Sequence, residues 1–285
     1  KGTQIRPCMM GIHVLIATPG RLNDFLAMKN PPVVPLNRLK YLVLDEADRM
    51  LDMGFEPQIK EILAAIPAGQ QYQSIMFTAT WPKAVQALAQ QYLKNPVQVN
   101  IGTSGEKLTV NKDVTQVVLS VTAGDKDDSL VRELGKLGDK EKVTAMVFAN
   151  KKYMCDRVAT GLGKHGWKAA AIHGDKDQWE RSQILKRFAE GKVRVLVATD
   201  VAARGLDIQG VSMVINYDFP DNGVEDWVHR VGRTGRAGKK GAAVTFFDTA
   251  ADRKSARELV GILKGAAQEV PDWLEALPPP PPPPY

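Results

Sequence analysis

The sequence predicts an α/β protein made of two successive parallel-sheet units. Three observations carry this. Short apolar strands alternate with helical periodicities along most of the chain, the arrangement of repeated strand–helix–strand units. The stretch from Gly102 to Asp113 lacks an apolar period and is rich in Gly, Thr, Ser, Lys and Asp, so it reads as a break between two such sets. The run Tyr41 to Leu44 is apolar throughout, as in a parallel strand covered on both faces, and stops at adjacent carboxylates. The expected division is 1–102 for the first unit, 103–113 for the linker, 114–263 for the second unit and 264–285 for a tail.

In the first unit, strands are expected at His13 to Ala17, Tyr41 to Leu44, Ser74 to Phe77 and Val97 to Ile101, where apolar residues run together or alternate. Helices are expected at Ile59 to Ile66 and Ala84 to Leu93, where apolar residues recur every three or four positions. In the second unit, strands fall at Thr115 to Val121, Thr144 to Phe148, Ala169 to Ile172, Val193 to Ala198, Ser212 to Asn216 and Gly241 to Phe247. Helices such as Ser129 to Lys136, Met154 to His165 and Gln178 to Phe188 lie between them, and Ala251 to Leu263 closes the set. Seven consecutive prolines before Tyr285 read as an exposed polyproline II rod, a spacer or a ligand for a proline-reading partner.

With 285 residues and 44% hydrophobic content, the chain has enough apolar surface for two cores of ordinary size. No apolar run reaches the roughly 20 residues of a membrane span and no signal-peptide pattern opens the sequence, so the expectation is no membrane partner and a nuclear or cytoplasmic setting. Cys8 and Cys155 fall in different units without metal-ligand spacing, which excludes a disulfide framework or a zinc site. A net charge of +6 is compatible with an anionic partner such as nucleic acid.

Asp45 and Glu46 stand at the end of an apolar strand, where open α/β sheets bind ligands. By themselves they read first as a strand running into a solvated acidic turn. A second constellation sharpens the choice: His229-Arg230-Val231-Gly232-Arg233-Thr234-Gly235-Arg236 packs three arginines and two glycines into eight positions. Phosphoryl transfer needs such groups, because developing charge on phosphate oxygens is met by metal and guanidinium and a carboxylate orients the attacking water.

Five segments in order, Thr18-Pro19-Gly20-Arg21, Asp45-Glu46-Ala47-Asp48, Thr78-Ala79-Thr80, Ala198-Thr199-Asp200 through Arg204-Gly205-Leu206-Asp207, and His229 through Arg236, resemble the DEAD-box ATP-dependent RNA helicases, in particular the p68-like eukaryotic subgroup. The resemblance covers nearly everything before the tail. It implies two RecA-like domains, the first incomplete, that use ATP and Mg²⁺ and handle single-stranded RNA and short duplexes with little regard to sequence.

The resemblance also implies roles. Asp45 would hold Mg²⁺ through water and Glu46 would orient the hydrolytic water. Asp48, Thr78, Thr80 and His229 would form a polar bridge coupling the domains. Arg233 and Arg236 would act as arginine fingers, and Gly205 and Asp207 would approach phosphates and ribose. RNA contacts are implied for Thr18, Gly20 and Arg21 in the first domain and for Gly174, Arg181 and Thr199 in the second, residue types suited to phosphate and sugar. Trp81, Trp167, Trp179 and Trp227 sit beside apolar positions and are expected to pack in the cores or on the domain surface.

Three departures qualify the resemblance. No Gly-x-x-x-x-Gly-Lys-Ser/Thr occurs, so the phosphate cradle is not in this sequence. The sequence opens with Lys1 inside a stretch resembling the middle of the first domain, and the expectation is an amino-terminally truncated piece whose first domain is loosely folded for want of the strand beside Tyr41 to Leu44. Thr78 stands where the family usually has Ser, and Lys151 where it usually has Thr. The alternative reading is a catalytically inactive RNA-binding or scaffold module whose proline tail recruits partners. A DNA translocase on the same architecture fits the Asp-Glu-Ala-Asp form less well.

Overall fold

Both halves of the chain are parallel-sheet α/β structures in the computed structural model, which describes residues 2–28, 33–100, 108, 110–203, 208, 210–236 and 238–279. Backbone contacts divide the chain into Lys1–Glu106 and Lys107–Tyr285.

Unit 1 runs α1 (Gly2–Met9), α2 (Pro19–Leu26), β1 (Tyr41–Leu44), α3 (Ala47–Asp52), α4 (Glu56–Ala64), β2 (Gln73–Met76) and α5 (Lys83–Tyr92). Proline at the first turn of α2 has no amide to leave orphaned there, and its fixed φ favours helix entry. Phe25 then buries against Val33 and Val34, with Leu22 and Leu15 packed beside them. In α5, Val85, Leu88 and Ala89 share one face and are buried. β1 and β2 pair in parallel, Tyr41 opposite Gln73 and Leu44 opposite Met76.

Two expected strands do not form. Residues 13–17 and 97–100 are irregular, with Val14 at 78% and Ile16 at 93% exposure; Ile101 lies outside the described residues. Apolar alternation makes a strand only where a ladder partner exists. Among the described residues β1 pairs with β2 alone, so Tyr41 and Val43 remain exposed.

Unit 2 contains β3 (Val114–Ser120), α6 (Lys126–Gly135), β4 (Ala145–Phe148), α7 (Lys152–Lys164), β5 (Ala169–Ile172), α8 (Gln178–Ala189), β6 (Val195–Ala198), α9 (Asp200–Ala203), β7 (Met213–Asn216), α10 (Val224–Val231), β8 (Gly241–Phe247), α11 (Ala256–Gly265) and α12 (Asp272–Glu275). Its six strands are ordered β3-β8-β7-β4-β6-β5, and every pair is parallel. All four residues of β4, β6 and β7 are buried, which is why these strands read as unbroken apolar runs. Met146 and Phe148 of β4 face a core with Phe188 of α8, Trp227 of α10 and Leu259 of α11. Ala145 and Val147 face the opposite core, with Leu130 and Leu134 of α6 and Cys155 and Val158 of α7.

Because β4 lies between β7 and β6, the chain leaves it in one direction for β5 and returns on the other side for β7. Such a switch opens a crevice at the carboxyl edge of the strands.

The boundary segments are more ordered than their composition suggests. Leu108 and Val110, which fall in the expected linker, pack on the unit 2 core. In the expected tail, Leu274 of α12 is buried, and the Trp273 ring lies 6.1 Å from that of Phe247. Arg253 Nε donates to the Pro278 carbonyl at 2.8 Å; the prolines from 280 onward lie outside the described residues. Among the described residues no helix is long and apolar enough to cross a membrane.

Candidate functional site

In unit 1 the chemistry-bearing residues gather where β1 and β2 leave the sheet. Phe77 N donates to Leu44 O at 2.8 Å and Ala47 N returns a bond to Phe77 O at 3.0 Å, which carries the pairing one step past the strands. This step brings residues 78–80 beside Asp48. The Asp48 carboxylate is 2% exposed and accepts from Thr80 Oγ1 at 2.8 Å, from Thr80 N at 3.1 Å and from Arg49 N at 2.9 Å. Thr78 Oγ1 donates to Thr80 O at 2.8 Å. A buried carboxylate is stable only when its lone pairs are so occupied. Asp48, Thr78 and Thr80 therefore form one network within unit 1.

Asp45 and Glu46 are exposed at this edge. Glu46 has φ 53° and ψ 53°, a left-handed conformation that costs a residue with a Cβ roughly 1–2 kcal/mol. The turn leads directly into α3, and Glu46 N donates to Asp45 Oδ1 at 3.1 Å. Such strain at an acidic residue on a sheet edge is characteristic of functional positions. Among the described residues no three metal-ligating side chains cluster.

Thr18, Gly20 and Arg21 stand at the start of α2. Thr18 is the N-cap residue, and its hydroxyl makes no capping bond. A side chain at Gly20 would meet nothing within 4 Å, so the backbone there is open to a ligand. Arg21 Nη1 donates to Gln4 Oε1 at 3.0 Å, and Arg21 Nε lies 3.7 Å from Asp24 Oδ2.

Unit 2 places Gly174, Arg181 and Thr199 at the carboxyl edge of the sheet. Gly174 follows β5 and Thr199 follows β6; Thr199 N donates to Ile172 O at 3.4 Å, joining the two strand ends. Arg181 stands on the first turn of α8. Its Nη1 reaches Gln178 Oε1 only at 3.5 Å, and its buried Nε has no hydrogen-bond partner among the described residues. Gly205 and Asp207 lie outside the described residues.

Arg230 is the residue the sequence reading missed. It is 1% exposed and organises this edge. Its Nε and Nη2 each donate to the Asp200 carboxylate at 2.6 Å, its Nη1 to Asp218 O at 2.6 Å and its Nη2 to Asn150 Oδ1 at 2.8 Å. The guanidinium carbon also lies 5.2 Å from the centre of the Phe148 ring. Asn150, Asp200 and Asp218 follow β4, β6 and β7, so one side chain ties α10 to three strand ends. The signal was its place in an arginine-rich octapeptide with apolar helix neighbours Trp227 and Val231, which marks the inward face.

This anchorage fixes the neighbours of Arg230 on α10, namely His229 and, just past the helix, Arg233, both half-buried. Arg233 N donates to Arg230 O at 3.0 Å. Arg236 is exposed and its Nε donates to Gly232 O at 2.9 Å. Gly235 has φ +67°, and a Cβ there would lie 2.3 Å from Val114 Cγ2, so only glycine fits this turn.

The tryptophans divide. Trp227 is fully buried and donates to Thr245 Oγ1 at 2.8 Å, and Trp167 is 4% exposed. Trp81 is half-buried. Trp179 departs from the expected packing: it is 71% exposed on the first turn of α8. Its angular position, opposite the helix residues that meet the core, explains why.

Two family models match the chain: DEAD/DEAH box helicase over residues 2–88 and Helicase conserved C-terminal domain over residues 125–238. The chain is 50% identical over 271 residues to DEAD-box ATP-dependent RNA helicase 46 of Arabidopsis thaliana, covering 95% of this chain and 40% of that protein. It is 49% identical over 272 residues to ATP-dependent RNA helicase DBP2 of Eremothecium gossypii, covering 95% of this chain and 47% of that one. The chain thus spans about half the length of these relatives or less. It resembles a structure of S. cerevisiae Dbp5 bound to RNA and ADP BeF3, with TM-score 0.74 and 32% identity over 91% of this chain and 66% of that one. Two matching models in order, and half of all positions identical across nearly the whole length, place the chain in the DEAD-box helicase family.

Proposed function

We propose that the chain supplies the RNA-gripping and hydrolytic edges of an ATP-dependent RNA helicase, an RNA-stimulated ATPase that separates or remodels short duplexes locally. The observation that carries this reading is that the motif residues Asp45–Thr80 of unit 1 and Gly174, Arg181 and Thr199 of unit 2 stand where strands leave their parallel sheets, at the carboxyl edges.

In this reading Thr18, Gly20 and Arg21 of unit 1 and Gly174, Arg181 and Thr199 of unit 2 hold RNA by phosphate and sugar, so binding ignores sequence. Discrimination against DNA then rests on 2′-hydroxyl contacts. Glu46 orients a water for attack. Arg233 and Arg236 present positive charge where a terminal phosphate develops negative charge, a role worth roughly 10³ to 10⁵ in rate in related phosphoryl-transfer systems. Asp48, Thr78 and Thr80 hold the unit 1 edge, and His229 belongs to the polar set of unit 2 that would couple to them. Gly205 and Asp207 take the phosphate and ribose side.

Magnesium fits Asp45 as a hydrated ion: an exposed carboxylate that belongs to no ligand cluster among the described residues suits a cation that keeps several waters. The ion's chemistry is to neutralise phosphate charge. ATP fits these residues only in part, since the cradle Gly-x-x-x-x-Gly-Lys-Ser/Thr is not in the sequence.

A second reading is an RNA-binding or scaffold module without hydrolysis. The two are separated by grafting the P-loop segment of a curated relative onto this chain and measuring phosphate release with and without RNA. The helicase reading expects RNA-stimulated release that Glu46→Gln abolishes; release indifferent to RNA and to that substitution would remove the proposed roles. We further propose that the run Pro278 to Pro284, launched from the docked α12, binds a partner with an aromatic groove for polyproline II. Pull-down by such a domain, lost when these prolines are deleted, tests it.

A further inference from the structure

Trp179 is a large aromatic at unit 2's proposed RNA edge that the reading above does not use. It is 71% exposed on the first turn of α8, between Gln178 and Glu180 and two positions before Arg181. Among the described residues no ring or cation packs on its indole. Burying a tryptophan stabilises a fold by more than most side chains do, so the fold gains nothing from holding this one in water on the first turn of a well-anchored helix. The anchorage is clear: the Asp177 side chain caps Glu180 N at 2.8 Å and Phe188 is buried at the far end.

The surroundings define what the ring fits. Trp179, Ser182, Gln183 and Lys186 follow at i, i+3, i+4 and i+7 and share the outward face of α8. All four are exposed. Within the helix this face carries an aromatic plane, two neutral hydrogen-bonding groups and a cation, and no carboxylate; Glu190 follows only past the helix end, 4.0 Å from the Lys186 ammonium. An acidic or apolar partner segment would leave part of this face unused. A nucleotide uses all of it, because a base offers a π-face to the indole and its phosphate an anion to the ammonium.

We infer that Trp179 is a stacking platform for one base of the bound RNA, beside the backbone contacts proposed for Gly174, Arg181 and Thr199. This rests on the RNA reading above and adds to it a contact to the base itself, sequence-tolerant because every base has a π-face. Stacking of one base is worth on the order of 1–3 kcal/mol, a factor of roughly 5 to 150 in affinity.

The test is fluorescence anisotropy of a labelled ribo-oligonucleotide with the 285-residue chain, comparing Trp179→Ala, Trp179→Phe and an oligonucleotide carrying abasic positions. Trp179→Ala should weaken binding by about 5- to 100-fold with an unchanged salt slope, since no phosphate contact is lost. Trp179→Phe should retain most of the affinity, and abasic RNA should bind the unaltered chain as weakly as ordinary RNA binds Trp179→Ala. Equal affinity for all variants and both oligonucleotides would overturn the stacking role while leaving the backbone contacts standing. Absence of any ribo-oligonucleotide binding would overturn both. Because the ring is exposed, thermal melts of the variants should coincide, which keeps misfolding from imitating the result.

Discussion

Replacing Arg230 by methionine tests how the carboxyl edge of unit 2 is held. Methionine keeps most of the aliphatic volume and removes the guanidinium, so cavity formation is minor. The change orphans Asn150 Oδ1 and Asp218 O and leaves the Asp200 carboxylate without its bidentate partner. Breaking a buried ion pair from one side costs about 3–5 kcal/mol. Asp200 is 19% exposed and water reaches it in part, which favours the lower end, about 3–4 kcal/mol. With a urea m-value of roughly 2–3 kcal/mol/M, the midpoint of the unit 2 transition, followed by tryptophan fluorescence, should fall by about 1–2 M. Asp200→Leu added to Arg230→Met removes the carboxylate that lost this guanidinium and should recover part of the loss. A midpoint shift below about 0.5 M for the single variant, or no recovery in the double, refutes the view that this guanidinium ties the strand ends together.

Further outcomes follow from particular positions. Glu46→Gly relieves the left-handed backbone and should leave unit 1 more stable than Glu46→Gln by about 0.5–1 kcal/mol in denaturant titration, after allowing for the extra flexibility of glycine when unfolded; the reverse order would mean that the turn is unstrained. Gly235→Ala meets both a positive φ and the Val114 methyl and should cost about 2–4 kcal/mol in a thermal melt. At Gly238 the φ is also positive but a Cβ meets nothing within 4 Å, so Gly238→Ala should cost only about 1 kcal/mol. Burial pushes the Cys155 thiol from 9.0 up to about 12. Its neutral form is the favoured one when folded, so its share of stability is complete below pH 9 and is lost as pH rises toward 12. Alkylation at pH 8.5 should modify Cys155 only on unfolding, well after the half-buried Cys8; equal rates at the two thiols would contradict that burial.

Unit 2 was legible because its strands are apolar throughout and its helices keep a regular period; Ala169–Ile172 and Gly241–Phe247 appear where periodicity places them. Unit 1 was less so. Val14, Ile16, Val97 and Val99 carry strand-like alternation yet stay exposed, because alternation names a face but not the neighbour needed to complete a ladder. The network of Asp48, Thr78 and Thr80 was approachable as a set of polar residues near strand ends, whereas its closure within one unit came from the β1–β2 register. Arg230 was invisible for a related reason. A basic octapeptide looks like a solvated turn until the helix phase turns one arginine inward, and only three-dimensional placement shows which strand ends it meets. Trp179 departed in the opposite sense: it was expected to pack in a core or on the domain surface, and its helical phase instead turns it outward among Gln178, Glu180 and Arg181.

The proposal that these sheet edges grip RNA by its backbone is tested most directly by equilibrium binding of the 285-residue chain to two ribo-oligonucleotides of unrelated sequence and to the matching DNA. The account expects equal affinity for the two RNAs, weaker binding of DNA, and a uniform loss for both RNAs on Thr199→Val and on Arg181→Gln. Strong preference for one RNA sequence, or affinities untouched by both substitutions, would contradict it.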